Sequence, residues 1–202
     1  VLNNATGAGT SNTNAINLSN FSTQNGLDIR NNIFVVTRGG TGVKRIIDVS
    51  ASAAPFVSNY NAAWLNAPGG TQTYGQIGST NYTTFTDWQT GTGKDANSVH
   101  ADPLFTNPGA GNFAPANPVV DGAAMGTTAV GGITDDILNV VRAVNPDPGA
   151  FEFTPPACTT PVGGTANTSS GPFCTSGTGT VMATGYSAGN GISYQWQYSN
   201  DN

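Results

Sequence analysis

The sequence reads as an all-β chain wound in successive short-stranded coils, and three observations carry that reading. The first is internal recurrence. VLNN (1–4), IRNN (29–32) and VSNYN (57–61) bring Asn3, Asn31 and Asn59 to a spacing of 28, while INLS (16–19) matches IDVS (47–50) at a spacing of 31. The two sets interleave in the same order, as coils that each contribute short strands would. The second is alternation. In LDIRNNIFVV, Leu27 and Ile29 share one face and Asp28 and Arg30 the other, and after the asparagine pair the run Ile33 to Val36 turns apolar. The third is the scarcity of helix signals. DDILNVVRAV (135–144) is the best helix candidate, with Asp135 or Asp136 placed to cap it, yet Ile137, Val140 and Val141 suit a strand as well. Beyond residue 66, Gly and Pro punctuate the chain and imply long surface loops.

The recurring asparagines have a physical use. Asn tolerates the left-handed backbone region, and its amide can bond to main chain or to the same residue in the next coil. Asn3, Asn31 and Asn59 would then stack as a ladder at about 4.8 Å per coil.

Composition bounds the rest. The 202 residues are long enough for one or two domains, and the character of the chain changes near Pro155 and Pro156. Only 8% of residues are charged, so solubility rests on hydroxyls and amides, while 37% hydrophobic content with regularly placed Val, Ile, Phe and Tyr argues for a folded chain. Six basic residues and a net charge of −5 give no footprint for nucleic acid or anionic lipid. No apolar run is long enough to cross a bilayer as a helix. VLNNATGAGT carries neither an initiator Met nor signal-peptide features, so the expectation is an N-terminus internal to a longer precursor.

Cys158 and Cys174 could form a disulfide, half of a metal site or two free thiols. A zinc site needs further ligands nearby, and the only histidine, His100, lies far back in the chain. The disulfide is the preferred reading. It implies an oxidising compartment, and closing so short a loop contributes about 3 kcal/mol.

Two stretches resemble known families. FTDWQTGTGKDANSVHADPLFTNPGAGNFAPANPVVDGA (85–123) followed by DILNVVRAVNPDPGAFEF (136–153) resembles the closing segment of secreted bacterial right-handed parallel β-helix proteins of the pectate-lyase-like kind. Trp88, Gly93, Asp95, Asn97 and Ser98 carry the first part of the match, then Asp102, Pro103 and Phe105. Asn117, Pro118, Val119, Asp121 and Gly122 follow, and Arg142, Asp147 and the run Gly149 to Phe153 close it. Pro148 departs from the pattern, where an apolar residue is usual. Residues 158–202 resemble the first half of an immunoglobulin-like repeat of long surface proteins exported by the type IX secretion system, through Cys158, Cys174, Gly185, Tyr186, Tyr194, Gln195 and Trp196. The resemblance implies final coils and cap of a parallel β-helix over residues 1–154, a Pro-rich linker at 155–157, and a partial immunoglobulin-like sandwich over 158–202.

Chemistry is less legible than architecture. Catalysis on such a scaffold needs a carboxylate pair across a glycosidic bond, or acidic calcium ligands with a basic residue. Asp28, Arg30, Lys44, Arg45 and Asp48 are the candidates, read as lying on neighbouring strands, although Asp28 and Arg30 are more simply a salt bridge on a solvated wall. Asp87, Asp95, Asp102 and Asp121 could gather calcium but lack its usual spacing, and Asp beside Gly and Ser more often caps turns. No catalytic or metal residues are therefore assigned, with calcium the only cofactor weighed. Tyr60 and Trp64 are candidates for stacking on sugar rings, whereas Trp88 is expected to pack over the open end of the coils. The leading expectation is a non-catalytic, secreted or cell-surface adhesion or display protein whose partners are surface glycans or proteins of a surface assembly. The alternatives are the C-terminal cap of a carbohydrate-active enzyme, or a passenger held by secretion or motility machinery.

Overall fold

The computed structural model describes residues 9–18, 26–49, 55–155, 163–168, 180–186 and 195. Two compact units divide the chain, residues 1–156 and 157–202. The regular structure among the described residues is mostly β, with few and short helices.

Within the first unit the strands are β1 (Thr13–Leu18), β2 (Leu27–Arg30), β3 (Ile33–Val36), β4 (Lys44–Val49), β5 (Phe56–Asn59), β6 (Ala62–Leu65), β7 (Gly75–Ile77), β8 (Thr80–Tyr82) and β9 (Val99–His100). They form three separate ladders: β1–β4–β7 with β8 added at the edge, β2–β5, and β3–β6–β9. Every pairing is parallel except that of β7 with β8. From β1 to β6 the chain visits each ladder in turn, so a strand's partner is the strand laid down on its next visit. Ile16 faces Ile47, the offset of 31 legible in the sequence. Leu27 faces Phe56 and Ile33 faces Ala62, an offset of 29.

That offset corrects the asparagine ladder. Arg30, and not Asn31, is the register partner of Asn59, and the Asn31 backbone N–H donates instead to the Tyr60 carbonyl at 3.1 Å. The asparagines that do meet are 29 apart: the Asn32 side chain donates to Asn61 Oδ1 at 3.1 Å, as does its backbone N–H at 3.0 Å. Asn31 (φ 56°) and Tyr60 (φ 57°) occupy equivalent left-handed bends, which Asn tolerates better than Tyr. Asn3 lies outside the described residues.

One core joins the ladders. Ile29, Val36, Ile46, Ile47, Val49, Phe56 and Ala63 meet inside, with Tyr74 and Trp88 over them. Paired on both edges, β4 is buried along almost its whole length, including Lys44 and Arg45. After β8 the chain turns into α1 (Phe85–Thr92), capped by Thr84 and Asp87 in a reciprocal capping box and ended by Gly93 at φ 66°. Trp88 is wholly buried on its inner face, at ring separations of 5.9 Å from Tyr74 and 5.5 Å from Tyr82. Gly75 makes that seat: a Cβ there would lie 2.5 Å from Trp88 Cε3 and 2.9 Å from Ile47 Cγ2. Gly75→Ala is therefore expected to cost about 1–3 kcal/mol by overpacking. Urea denaturation should show a lowered midpoint at unchanged slope; an unaltered midpoint would contradict this packing.

Residues 101–155 carry little regular structure beyond two short 3₁₀ turns and α2 (Gly122–Met125). The helix candidate at 135–144 is neither helix nor strand. Asp136 folds it back, its Oδ1 accepting from the N–H groups of Leu138 at 2.7 Å and Val140 at 2.9 Å, with Asn139 left-handed at φ 61°. A side chain that bonds to its own following backbone outcompetes helical hydrogen bonds.

In the second unit β10 (Thr165–Thr168) pairs antiparallel with β11 (Val181–Thr184). Cys158, Cys174 and Trp196 lie outside the described residues, and with them the disulfide reading.

Candidate functional site

Three places gather polar or aromatic side chains in the first unit. The innermost lies at the β2–β3 and β5–β6 bends. Asn61, buried, donates to the Ile29 carbonyl at 2.9 Å and to Asp95 Oδ1 at 3.1 Å, while its backbone N–H reaches Ser98 Oγ at 2.8 Å. Asp95 is also buried, and its carboxylate accepts from Ser58 and Ser98 hydroxyls and, at 2.8 Å, from Trp88 Nε1. This network ties two bends and the capping helix together. Its carboxylate also reaches Tyr74, whose pKa is pushed well above the ordinary value by burial first and by the Asp95 charge second. Spent on four side-chain donors and enclosed, Asp95 is a structural pin.

The second place is the aromatic group around His100. His100 lies 5.3 Å from the Trp64 ring, 6.1 Å from Phe85 and 6.2 Å from Tyr74. Its pKa is lowered by desolvation, which favours the neutral imidazole at neutral pH, and its Nε2 accepts from the Leu65 N–H at 3.4 Å. Trp64, on β6, is partly exposed and lies beside this histidine. Tyr60 stands apart at its left-handed bend.

The third place is a cavity of about 430 Å³ between the β2–β3 bend and the closing segment. Arg30, Asn31, Asn32 and Ile33 form one side of it, and Val130, Ile133, Arg142, Pro146 and Asp147 contribute to the other. The closing segment is tied to the bend here by the Gly149 N–H on the Asn31 carbonyl at 2.7 Å and by Asn31 Nδ2 on the Thr128 carbonyl at 2.8 Å. Arg142 cross-braces the segment, donating to the carbonyls of Asp147 at 2.9 Å and Gly149 at 2.8 Å and to Glu152 at 3.2 Å. Burial raises the pKa of Asp147, against the opposing N–H donors of Phe153 and Gly122. Asp136 is shifted the other way, chiefly by the Glu152 N–H.

The charged candidates do not converge. Asp28 and Arg30 belong to β2 and pair with each other, an ion pair that raises the arginine pKa. Lys44, Arg45 and Asp48 belong to β4, in a different ladder, so the two groups do not sit on neighbouring strands. Lys44 is 1% exposed and its Nζ donates to the Gly42 carbonyl at 2.6 Å, while Arg45 lies 3.6 Å from Asp48. The acids weighed for calcium each serve elsewhere. Asp87 accepts from the Thr84 backbone N–H, which lowers its pKa, Asp102 accepts from Leu104 N, and Asp121 from Ala123 N and Ala124 N. Among the described residues no group of three His, Cys, Asp or Glu side chains is placed to hold a metal ion, and no helix is long and apolar enough to cross a membrane.

Sequence reasoning missed Asn61 and Ser58 as partners of Asp95, and Asn32 as the partner of Asn61. The signal was present in the paired asparagines of IRNN and SNYN, misaligned by one position. The cavity had no local signal, because its two sides lie about a hundred residues apart in sequence. No family model, no curated protein and no solved structure matches the chain.

Proposed function

We propose that this chain is the closing part of a right-handed parallel β-helix followed by an immunoglobulin-like unit, in a secreted or cell-surface protein that serves adhesion or display. The observation that supports it best is the three parallel ladders, pairing strands 28–37 residues apart in sequence around one core. Stacked strands of this kind give long, rigid faces, suited to holding binding surfaces away from a cell. The acidic side chains support the same reading. Asp95, Asp136 and Asp147 are committed to backbone and side-chain donors that hold turns, rather than standing opposite one another across a cleft.

Glycan contact is assigned to Trp64, whose ring sits at a partly exposed edge beside His100. Tyr60 serves second, at its bend. A panel of neutral and acidic polysaccharides, tested for retention and for chain cleavage on the same sample, decides the matter. The expected result is retention that Trp64→Ala weakens about tenfold, the scale of roughly 1.4 kcal/mol, with no cleavage. Cleavage of any polysaccharide would replace the adhesin with the carbohydrate-active enzyme, and absence of retention on every polysaccharide would remove the glycan role.

A further inference from the structure

We infer that the ligand class at Trp64 is neutral glycan, a sugar chain without carboxylate, sulfate or phosphate groups, and that His100 serves it as a hydroxyl-binding partner through Nδ1. The inference rests on the glycan reading of Trp64 and narrows it.

An acidic sugar leaving water needs a cation to meet its charge, because an anion bound without one gives up hydration that nothing replaces. The chain has six basic residues, and every one is engaged in a ladder or segment other than β3–β6–β9. Arg30 pairs with Asp28, Arg45 lies 3.6 Å from Asp48, and Arg142 holds Glu152 at 3.2 Å. Lys44 is buried on the Gly42 carbonyl. Lys94 sits 4.2 Å above the Phe56 ring, its Nζ donating to the Phe56 carbonyl at 2.8 Å. Arg38 reaches Thr13 Oγ1, at the start of β1, at 3.3 Å. The net charge of −5 adds a field that turns polyanions away.

His100 does not supply the missing charge. Its Nε2 accepts from the Leu65 N–H, so in the neutral ring the proton sits on Nδ1, a donor on an exposed residue. The elements packed against it bring no ionised group. Trp64 and Leu65 come from β6, Phe85 from α1, and Tyr74, whose burial keeps its phenol protonated, from the segment before β7. Desolvation lowers the His100 pKa, so the imidazole is uncharged at neutral pH. A neutral donor beside an indole suits a pyranose, whose C–H face lies against the ring while a hydroxyl bonds at its margin.

The test is retention of the whole chain at about pH 7.5, where the imidazole is neutral, on chains of like backbone and unlike charge. Dextran is set against dextran sulfate and methyl-esterified polygalacturonate against polygalacturonate, with β-glucan and mannan as further neutral chains. Retention on at least one neutral chain is expected to exceed that on every acidic one about tenfold or more, and to change less than about twofold between roughly 20 and 500 mM salt. His100→Phe, which keeps a ring and removes the donor, is expected to weaken neutral retention about threefold to fivefold, and His100→Arg to raise retention on polygalacturonate about fivefold by placing a cation beside Trp64. The comparison of neutral with acidic chains needs only the parent protein, so it stands whether or not a variant folds. Acidic chains held as well as neutral ones, or retention that salt abolishes, would overturn the inference and leave a glycan role in place. Neutral retention indifferent to His100→Phe would overturn the part given to Nδ1. Retention on none of the chains would remove the glycan role itself, and this inference with it.

Discussion

Replacing Asp95 by alanine is expected to lower stability by about 3–5 kcal/mol, the range for removing one partner from a buried charged network. The carboxylate receives Ser58, Ser98, Asn61 and Trp88 donors at 2.6–3.1 Å. The two hydroxyls can rotate toward other acceptors and the Asn61 amide keeps the Ile29 carbonyl and Ser58 Oγ, but the Trp88 indole N–H, fixed by packing, would be left unpaired, at about 1–3 kcal/mol. Alanine would also have to hold the left-handed backbone that Asp95 adopts at φ 56°. Asp95→Asn separates the two causes. Asparagine tolerates that backbone and keeps one acceptor oxygen, yet turns an NH₂ group toward existing donors, so a loss of about 1–3 kcal/mol is expected. Urea unfolding followed by tryptophan emission measures both. If Asp95→Ala cost less than about 1 kcal/mol, the network could not be what ties the bends to α1.

Arg142→Ala is the second large effect, expected at about 3 kcal/mol. One guanidinium satisfies the carbonyls of Asp147 and Gly149 and the carboxylate of Glu152, and both members of the ion pair are mostly buried, at 10% and 13% side-chain exposure. Glu152 in turn accepts from the N–H groups of Ala143 at 3.0 Å and Asp147 at 3.1 Å, so its own position depends on the arginine. Arg142→Lys should recover little, because an ammonium cannot span carbonyls that the planar fork reaches together. Hydrogen exchange gives the local readout. The Gly149 and Phe153 amides, bonded to Asn31 and Asp147, should lose protection in both variants, while those of β4 keep theirs until global unfolding. Uniform loss across the first unit would mean that the closing segment is not a separable brace.

Several elements were legible because their causes are local. Period-two alternation placed β2 and β3, and the match of INLS with IDVS gave the offset of 31 between β1 and β4. The asparagine alignment slipped by one position because it followed residue identity, whereas ladder register follows which side chains turn inward, here Ile29 with Ser58 and Phe34 with Ala63. Lys44 read as a catalytic candidate, since nothing in its neighbours announces that two glycine carbonyls receive its ammonium. DDILNVVRAV pointed at once to helix and strand because its apolar spacing fits either. Asp136 and the distant Glu152 and Ala150 decided between them by forming a third conformation.

By itself, then, the sequence determined the β class and the recurrence of short strands, both of which follow from side-chain period. Tertiary structure alone decided which asparagines stack, that Asp95 is a buried pin, and that aliphatic side chains near residue 138 face solvent beside a cavity. Those outcomes depend on contacts between residues roughly thirty to a hundred positions apart, whose geometry no local pattern encodes.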